Sequence, residues 1–282
     1  MQFLKFNNHS FFGKTLNKFL KNKFAFFNLV LILIIGFLCL LVPIFSKYNY
    51  KVTDFQNSLT PPNTVHLFGS DGLGRDLFVR CFVGGKITFE IAIAGTIMVL
   101  LIGVTYGTVS GFIGGKVDSF MMRIVDILYG LPIIFFSILL LSIFGQNIFI
   151  SFIAIASVSW LDMARVVRGQ TLSIKNKEFI DAARISGASN WRIIKKYIIP
   201  NLSGVILVYT TLIVPNIIIL SAVLSFFGLG VNEPMTTWGL LINDGVQDMR
   251  SWWLLFFPTL LMVITLLSFS FVANGLKESM EL

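Results

Sequence analysis

The chain is 282 residues long, 55% hydrophobic and only 13% charged, with 29 phenylalanines and a formal net charge of +8. Soluble domains carry about 25% charged residues, and a mean hydropathy of +0.82 leaves too little polar surface to coat a globule in water. A soluble enzyme is excluded, and the composition predicts one compact all-α membrane protein.

The N-terminal arm holds Lys5, Lys14, Lys18, Lys21 and Lys23 without an acid, and a charge-free run follows over 24–46. That run outlasts the roughly 7–15 residue apolar core of a cleavable signal, and no small-x-small site follows it, so it reads as a retained first span. Cys39 lies in this run behind bulky Phe37-Leu38, against lipid attachment, and Cys81 is expected in a polar loop. Two unpaired thiols make neither a disulfide framework nor a zinc cluster.

Residues 69–76 combine three glycines with two Asp-containing turns, which predicts a tight extracytoplasmic clasp before span two at 91–115, with Glu90 hydrated at its outer edge. Gly84-Gly85-Lys86 and Gly114-Gly115-Lys116 fail as phosphate loops. Arg80 and Ser110 stand where the early glycine is required, and Ile87 and Val117 follow the lysines. His9 and His66 have no ligand-spaced partners, so no metal site is visible. No nucleophile elbow is present either, and any ATP hydrolysis must belong to another chain.

Asp126, at the start of the third span, has Arg123 three residues before it, and helical i,i+3 spacing predicts a structural ion pair. The gap 127–161 is too long for one crossing, and Gly145-Gln146-Asn147 splits it into two. The segment 162–200 is then a basic connector. Within it, Glu178 and Asp181 suit a helical first turn, Gly187 ends that helix, and Ser189 caps a second. Ala183 and Gly187 leave one face nearly bare, Ile194, Tyr197 and Ile198 share another, and Pro200 is expected to stop the helix. The product is two short helices bent at a glycine.

A fifth span fits 203–227, where Pro215 permits a kink that suits a pathway-lining helix. The sixth covers 251–276, anchored at its outer interface by Trp252-Trp253. With six spans both termini share a side. Sixteen lysines and arginines fall there against six opposite, so the positive-inside rule places the termini and 162–200 in the cytoplasm. The positive charge is a topology signal and calls for no nucleic acid.

The run Glu178, Ala182-Ala183, Gly187 and Pro200 resembles the coupling loop of ABC importer permeases. His66-Leu-Phe-Gly69-Ser-Asp71-Gly-Leu-Gly74-Arg75-Asp76 is similar to the signature of the C-type subunit of dipeptide/oligopeptide permeases, with Ser70 for the usual Thr. Gly114-Gly115 with Asp118, Arg123, Asp126 and Pro132, then 224–230 and Trp238-Gly239, continue the likeness in order. Ser221 replaces a frequent Glu, and Ala273-Asn274 replaces Gly-Asp.

The resemblance implies a type I ABC importer permease fold: residues 1–85 form an arm, first span and loop, and 86–282 a five-helix core with its coupling loop at 178–200. It implies a second homologous permease, two ABC ATPase subunits that carry ATP and Mg, an extracytoplasmic binding protein, and surrounding lipid. No cofactor is expected on this chain. Ser221 and Pro215 become candidates for the translocation path, and Glu178, Ala182, Ala183, Gly187 and Pro200 for ATPase coupling. The cargo implied is a peptide; a nickel or metal-chelate importer is the alternative, and a secondary carrier or channel that of another class.

Overall fold

The computed structural model describes residues 11–145 and 148–280, and all regular structure among them is helical. Lys5, His9, Gln146 and Asn147 lie outside the described residues. An amphipathic helix α1 (Phe11–Lys21) leads into α2 (Lys23–Phe45), whose Asn22 cap accepts from the Ala25 amide at 3.1 Å. Ala25, Asn28, Ile32, Ile35 and Cys39 form the buried stripe of α2 at alternating three- and four-residue steps, and Phe27, Leu33, Phe37 and Leu40 are left for lipid. The remaining long helices are α3 (Leu77–Ile113), α6 (Ile148–Lys175), α9 (Ile199–Phe226) and α11 (Trp252–Met280). Shorter ones are α4 (Gly115–Tyr129), α5 (Ile133–Phe144), α7 (Glu178–Ile185), α8 (Asn190–Ile193) and α10 (Trp238–Gln247).

The centre of the bundle is the pair α3 and α6, and glycine sets how closely they approach. A Cβ on Gly103 would lie 2.7 Å from Met163 Cβ, one on Gly107 2.4 Å from Ala164 O, and one on Gly111 2.8 Å from Arg168 O. Small residues four apart let two backbones touch without an intervening side chain, which favours helix association in lipid. Both partners advance in the same direction along this register, so α3 and α6 run parallel.

Parallel neighbours require a return crossing between them. α4 and α5 supply it as one broken span, bent by 81° at 130–132. Pro132 opens α5 and disfavours helical geometry at Leu131, which fixes the break there. With α2, α3, α6, α9 and α11 each long and apolar enough to cross, the six-span arrangement closes.

Several boundaries differ from the sequence expectations. α3 begins at Leu77, where Asp76 caps the helix by accepting from the Val79 amide at 2.9 Å. Cys81 is therefore fully buried in a helix, not in a polar loop, and the division at residue 85 falls inside α3. Glu90 sits well inside α3, 3.9 Å from Lys86 one turn earlier. α6 continues to Lys175, which carries Arg165 and Arg168 on a spanning helix.

Pro200 does not stop a helix. It occupies the first turn of α9, directly after a π-turn at Ile194–Ile198 in which the Ile199 amide bonds back to Ile194. A missing amide is tolerated in a first turn, and the wider turn before it takes up the change in hydrogen bonding.

Candidate functional site

Two ends of the bundle and one groove concentrate the polar chemistry. At the first end, α7 and α8 form an elbow. The Ala188 amide bonds to Ala183 O at 3.0 Å and the Gly187 amide to Arg184 O at 2.9 Å, the paired bonds of a Schellman stop. Gly187 has φ +78°, a left-handed conformation that L side chains resist, and no atom stands within 4 Å of where its Cβ would be. Ser189 then caps α8, accepting from the Arg192 amide at 3.3 Å.

One side of the elbow is locked into the bundle: Ile180, Ile193 and Ile198 are fully buried, and Ala183 packs with them. Ala183 thus faces inward and does not share a bare outer face with Gly187; Ala182 is the exposed alanine of the pair. The outer side carries Ile185, 88% exposed, with Trp191 beneath the Lys195 ammonium at 4.9 Å. Glu178 and Pro200 are exposed at the elbow's two ends.

Beside the elbow, two acids tie α4 to α6. Arg168 grips Asp118 through Nε at 2.5 Å and Nη2 at 2.6 Å, and Ser110 of α3 donates to the same carboxylate at 2.5 Å. Asp126 pairs with Arg165 at 2.8 Å, not with Arg123. The Arg165 guanidinium also lies 4.2 Å from the Tyr129 ring centroid. Asp126 lies towards α6, where a long arginine meets it from the neighbouring helix, and among the described residues Arg123 makes no ion pair. The expected i,i+3 pair is thus replaced by an interhelical one.

At the opposite end the 66–76 loop is a clasp, as its glycines suggest. His66 Nδ1 lies 2.8 Å from Asp76, Arg75 Nε donates to Asp71 at 2.7 Å, and Trp253 Nε1 donates to Ser70 O at 3.2 Å. Arg80 is completely buried and also donates to Asp71, with Glu233 and Asp244 at 3.5 and 3.8 Å. The Arg75 hydrogen bond holds Glu233 below the usual carboxylate range, whereas burial pushes Asp244 up. Trp238, fully buried, donates to Cys81 O at 2.9 Å and secures α10 to α3. Sequence reasoning missed Arg80 and Glu233 as partners, because they are far apart in the chain.

Between the ends, two adjoining hollows of about 640 and 370 Å³ share Asp162, Ile213, Asn216 and Ile219. Pro215 lines the larger one. Ser221 does not: it is buried on the face of α9 that carries Ile217, whose side chain lies against Gly95 of α3. Asp162 was legible only as the edge of a charge-free gap, yet it lies inside a span.

Residues 103–281 match the family described as binding-protein-dependent transport system inner membrane component, and residues 10–62 the N-terminal TM domain of oligopeptide transport permease C. The chain belongs to this family of ABC importer permeases. It is 45% identical to the oligopeptide transport system permease protein OppC of Haemophilus influenzae, over 94% of this chain and 86% of that one. Identity to OppC of Escherichia coli K12 is 43%, over 94% and 88%. The dipeptide transport system permease protein DppC of Bacillus subtilis is 38% identical over 93% and 82%. In fold, the chain is similar to the inward-facing MetNI methionine ABC transporter, with a TM-score of 0.62 over 72% of this chain and 97% of that one at 15% identity. Membership in this family sets aside the secondary-carrier reading, and ATPase and binding-protein partners follow from it.

Proposed function

We propose that this chain is one permease subunit of an ATP-driven peptide importer. The single observation that carries the coupling role is the two-sided elbow at 178–200: fully buried isoleucines on one side, and Ile185 and Trp191 presented outward on the other. A large exposed apolar side chain on a polar, basic segment suits a protein partner. The rigid inner side passes displacement directly to α6 and α9. The partner at the elbow is an ABC ATPase, one of two that carry ATP and Mg, and closure of that pair rocks the bundle between two packed arrangements. A second homologous permease completes the pore, and an extracytoplasmic binding protein delivers cargo at the clasp end. The basic residues around the elbow and both termini set that end in the cytoplasm.

Peptide cargo is supported by the oligopeptide and dipeptide permeases that this chain resembles along nearly its whole length, in preference to a nickel chelate. Ile185→Asp tests the coupling role, since a residue that touches little in the bundle leaves folding intact. The expected variant inserts normally, loses co-purifying ATPase subunits and stops ATP-dependent peptide uptake. Full ATPase retention with wild-type uptake would reject the elbow as the coupling element.

A further inference from the structure

We infer that Asp162 is a cargo-contacting carboxylate that receives the α-ammonium group of a peptide in transit. The inference rests on the peptide-importer reading above.

α6 rises about 1.5 Å per residue, so Asp162 stands roughly 20 Å from either end of the helix. Its neighbours Leu161 and Met163 are buried against the bundle, whereas Asp162 itself is exposed into the groove. Among the described residues, no side-chain hydrogen bond or ion pair reaches its carboxylate. The obvious local partner, Arg165 at i+3, is already engaged by Asp126 and Tyr129. The groove hydroxyls do not serve it either: Ser159 donates to Ile155 O and Ser270 to Leu266 O within their own helices.

An unpaired carboxylate within a span cannot face hydrocarbon at tolerable energy, so the groove opens on a watered path or on another protein surface. Its composition fits cargo. Ile213, Ile219 and Leu266 give apolar walls, Asn216 and Tyr209 give amide and phenol groups, and Asp162 is the only acid that lines either hollow among the described residues; the one cation there, Arg165 in the larger hollow, has its charge matched by Asp126. A peptide brings apolar side chains, backbone amides and one obligatory cation at its N-terminus. An ammonium–carboxylate contact in a partly dehydrated groove is stronger than a neutral hydrogen bond and would fix the direction in which the peptide enters.

The test uses the complete importer in nanodiscs without its binding protein, so that receptor preference does not enter. The probe is a benzoylphenylalanine tripeptide with either a free or an acetylated N-terminus, photo-crosslinked and mapped by mass spectrometry. Wild type should label in the 209–219 stretch of α9 at least about ten-fold more with the free amine. Asp162→Asn should fall to the acetylated level, and Asp162→Glu should keep the preference. Equal labelling by both probes in wild type, no labelling, or a preference that survives in Asp162→Asn would overturn the assignment. Loss of assembly with the second permease in Asp162→Asn would also overturn it, since the carboxylate would then serve a subunit contact. Failure of the peptide reading is separate: wild type with its receptor would then show no ATP-dependent uptake of any peptide.

Discussion

Arg168 and Asp118 form a two-toothed bridge, Nε to Oδ1 at 2.5 Å and Nη2 to Oδ2 at 2.6 Å, that joins α6 to α4. Ser110 adds α3 to the same carboxylate. Three helices therefore meet at one acid, next to the elbow that α6 leads into.

Arg168→Lys should destabilise the protein although the charge is kept. A lysine is a point donor and cannot supply the parallel fork. Loss of one charge-assisted bond corresponds to about 1.5–3 kcal/mol, read as a lowered unfolding temperature of the detergent-purified complex. An unchanged transition would mean that the fork is not what holds α4.

The Asp126–Arg165 pair is partly exposed and should be worth only about 0.2–1 kcal/mol. A double-mutant cycle with Asp126→Asn and Arg165→Ala should show coupling of that size, and Arg123→Ala should show no coupling to Asp126. Coupling to Arg123 of equal size would restore the local pair.

Gly187→Leu places a branched side chain at φ +78°, a backbone strain of about 1–2 kcal/mol. Nothing in this chain stands near the new Cβ, so the spans should insert normally. ATPase co-purification should fall by about ten-fold once strain and the added bulk at the contact combine. Gly187→Asn should be milder, because asparagine tolerates the left-handed region. Equal ATPase retention by the leucine and wild-type proteins would move the hinge elsewhere.

The clasp should respond to acid in two opposed steps. Asp244 is raised by burial, so its protonation on acidification relieves a cost that is present at neutral pH. Glu233 is lowered by Arg75, so its contribution is present at neutral pH and lost as pH falls through and below the usual glutamate range. Hydrogen exchange over 66–76 should therefore slow slightly at first and then quicken. Asp244→Asn should remove the first change and Glu233→Gln the second; a flat profile in wild type would refute both.

The elbow was legible because its signals are local: Gly187 and Ser189 act within one turn of themselves. The spans were legible because lipid imposes long charge-free runs. What failed was long-range. Arg123 is the nearest cation to Asp126 in sequence, but α6 brings Arg165 to it from 39 residues away. Asp162 and Glu90 fall at span edges in the sequence because a charge ends an apolar window, whereas a helix ends only when its backbone bonding does. The repeat Gly103-Gly107-Gly111 is itself a sequence signal for helix contact, since small residues four apart let another backbone approach. Pro200 by itself predicts a stop, and the π-turn before it lets the chain continue as helix.

The parallel α3–α6 seam has a consequence for synthesis. The glycine face of α3 leaves the ribosome well before the α6 residues that fill it, and α4 and α5 must be threaded in between. At elongation rates of about 5–20 residues per second, the roughly 60-residue lag from Gly103 to Met163 lasts on the order of 3–12 s. Throughout that interval the insertion machinery holds a helix with an uncovered backbone groove, open to any small-residue helix nearby. A nascent chain halted before Ile148 would keep that groove uncovered, because the α6 residues that fill it would never be made.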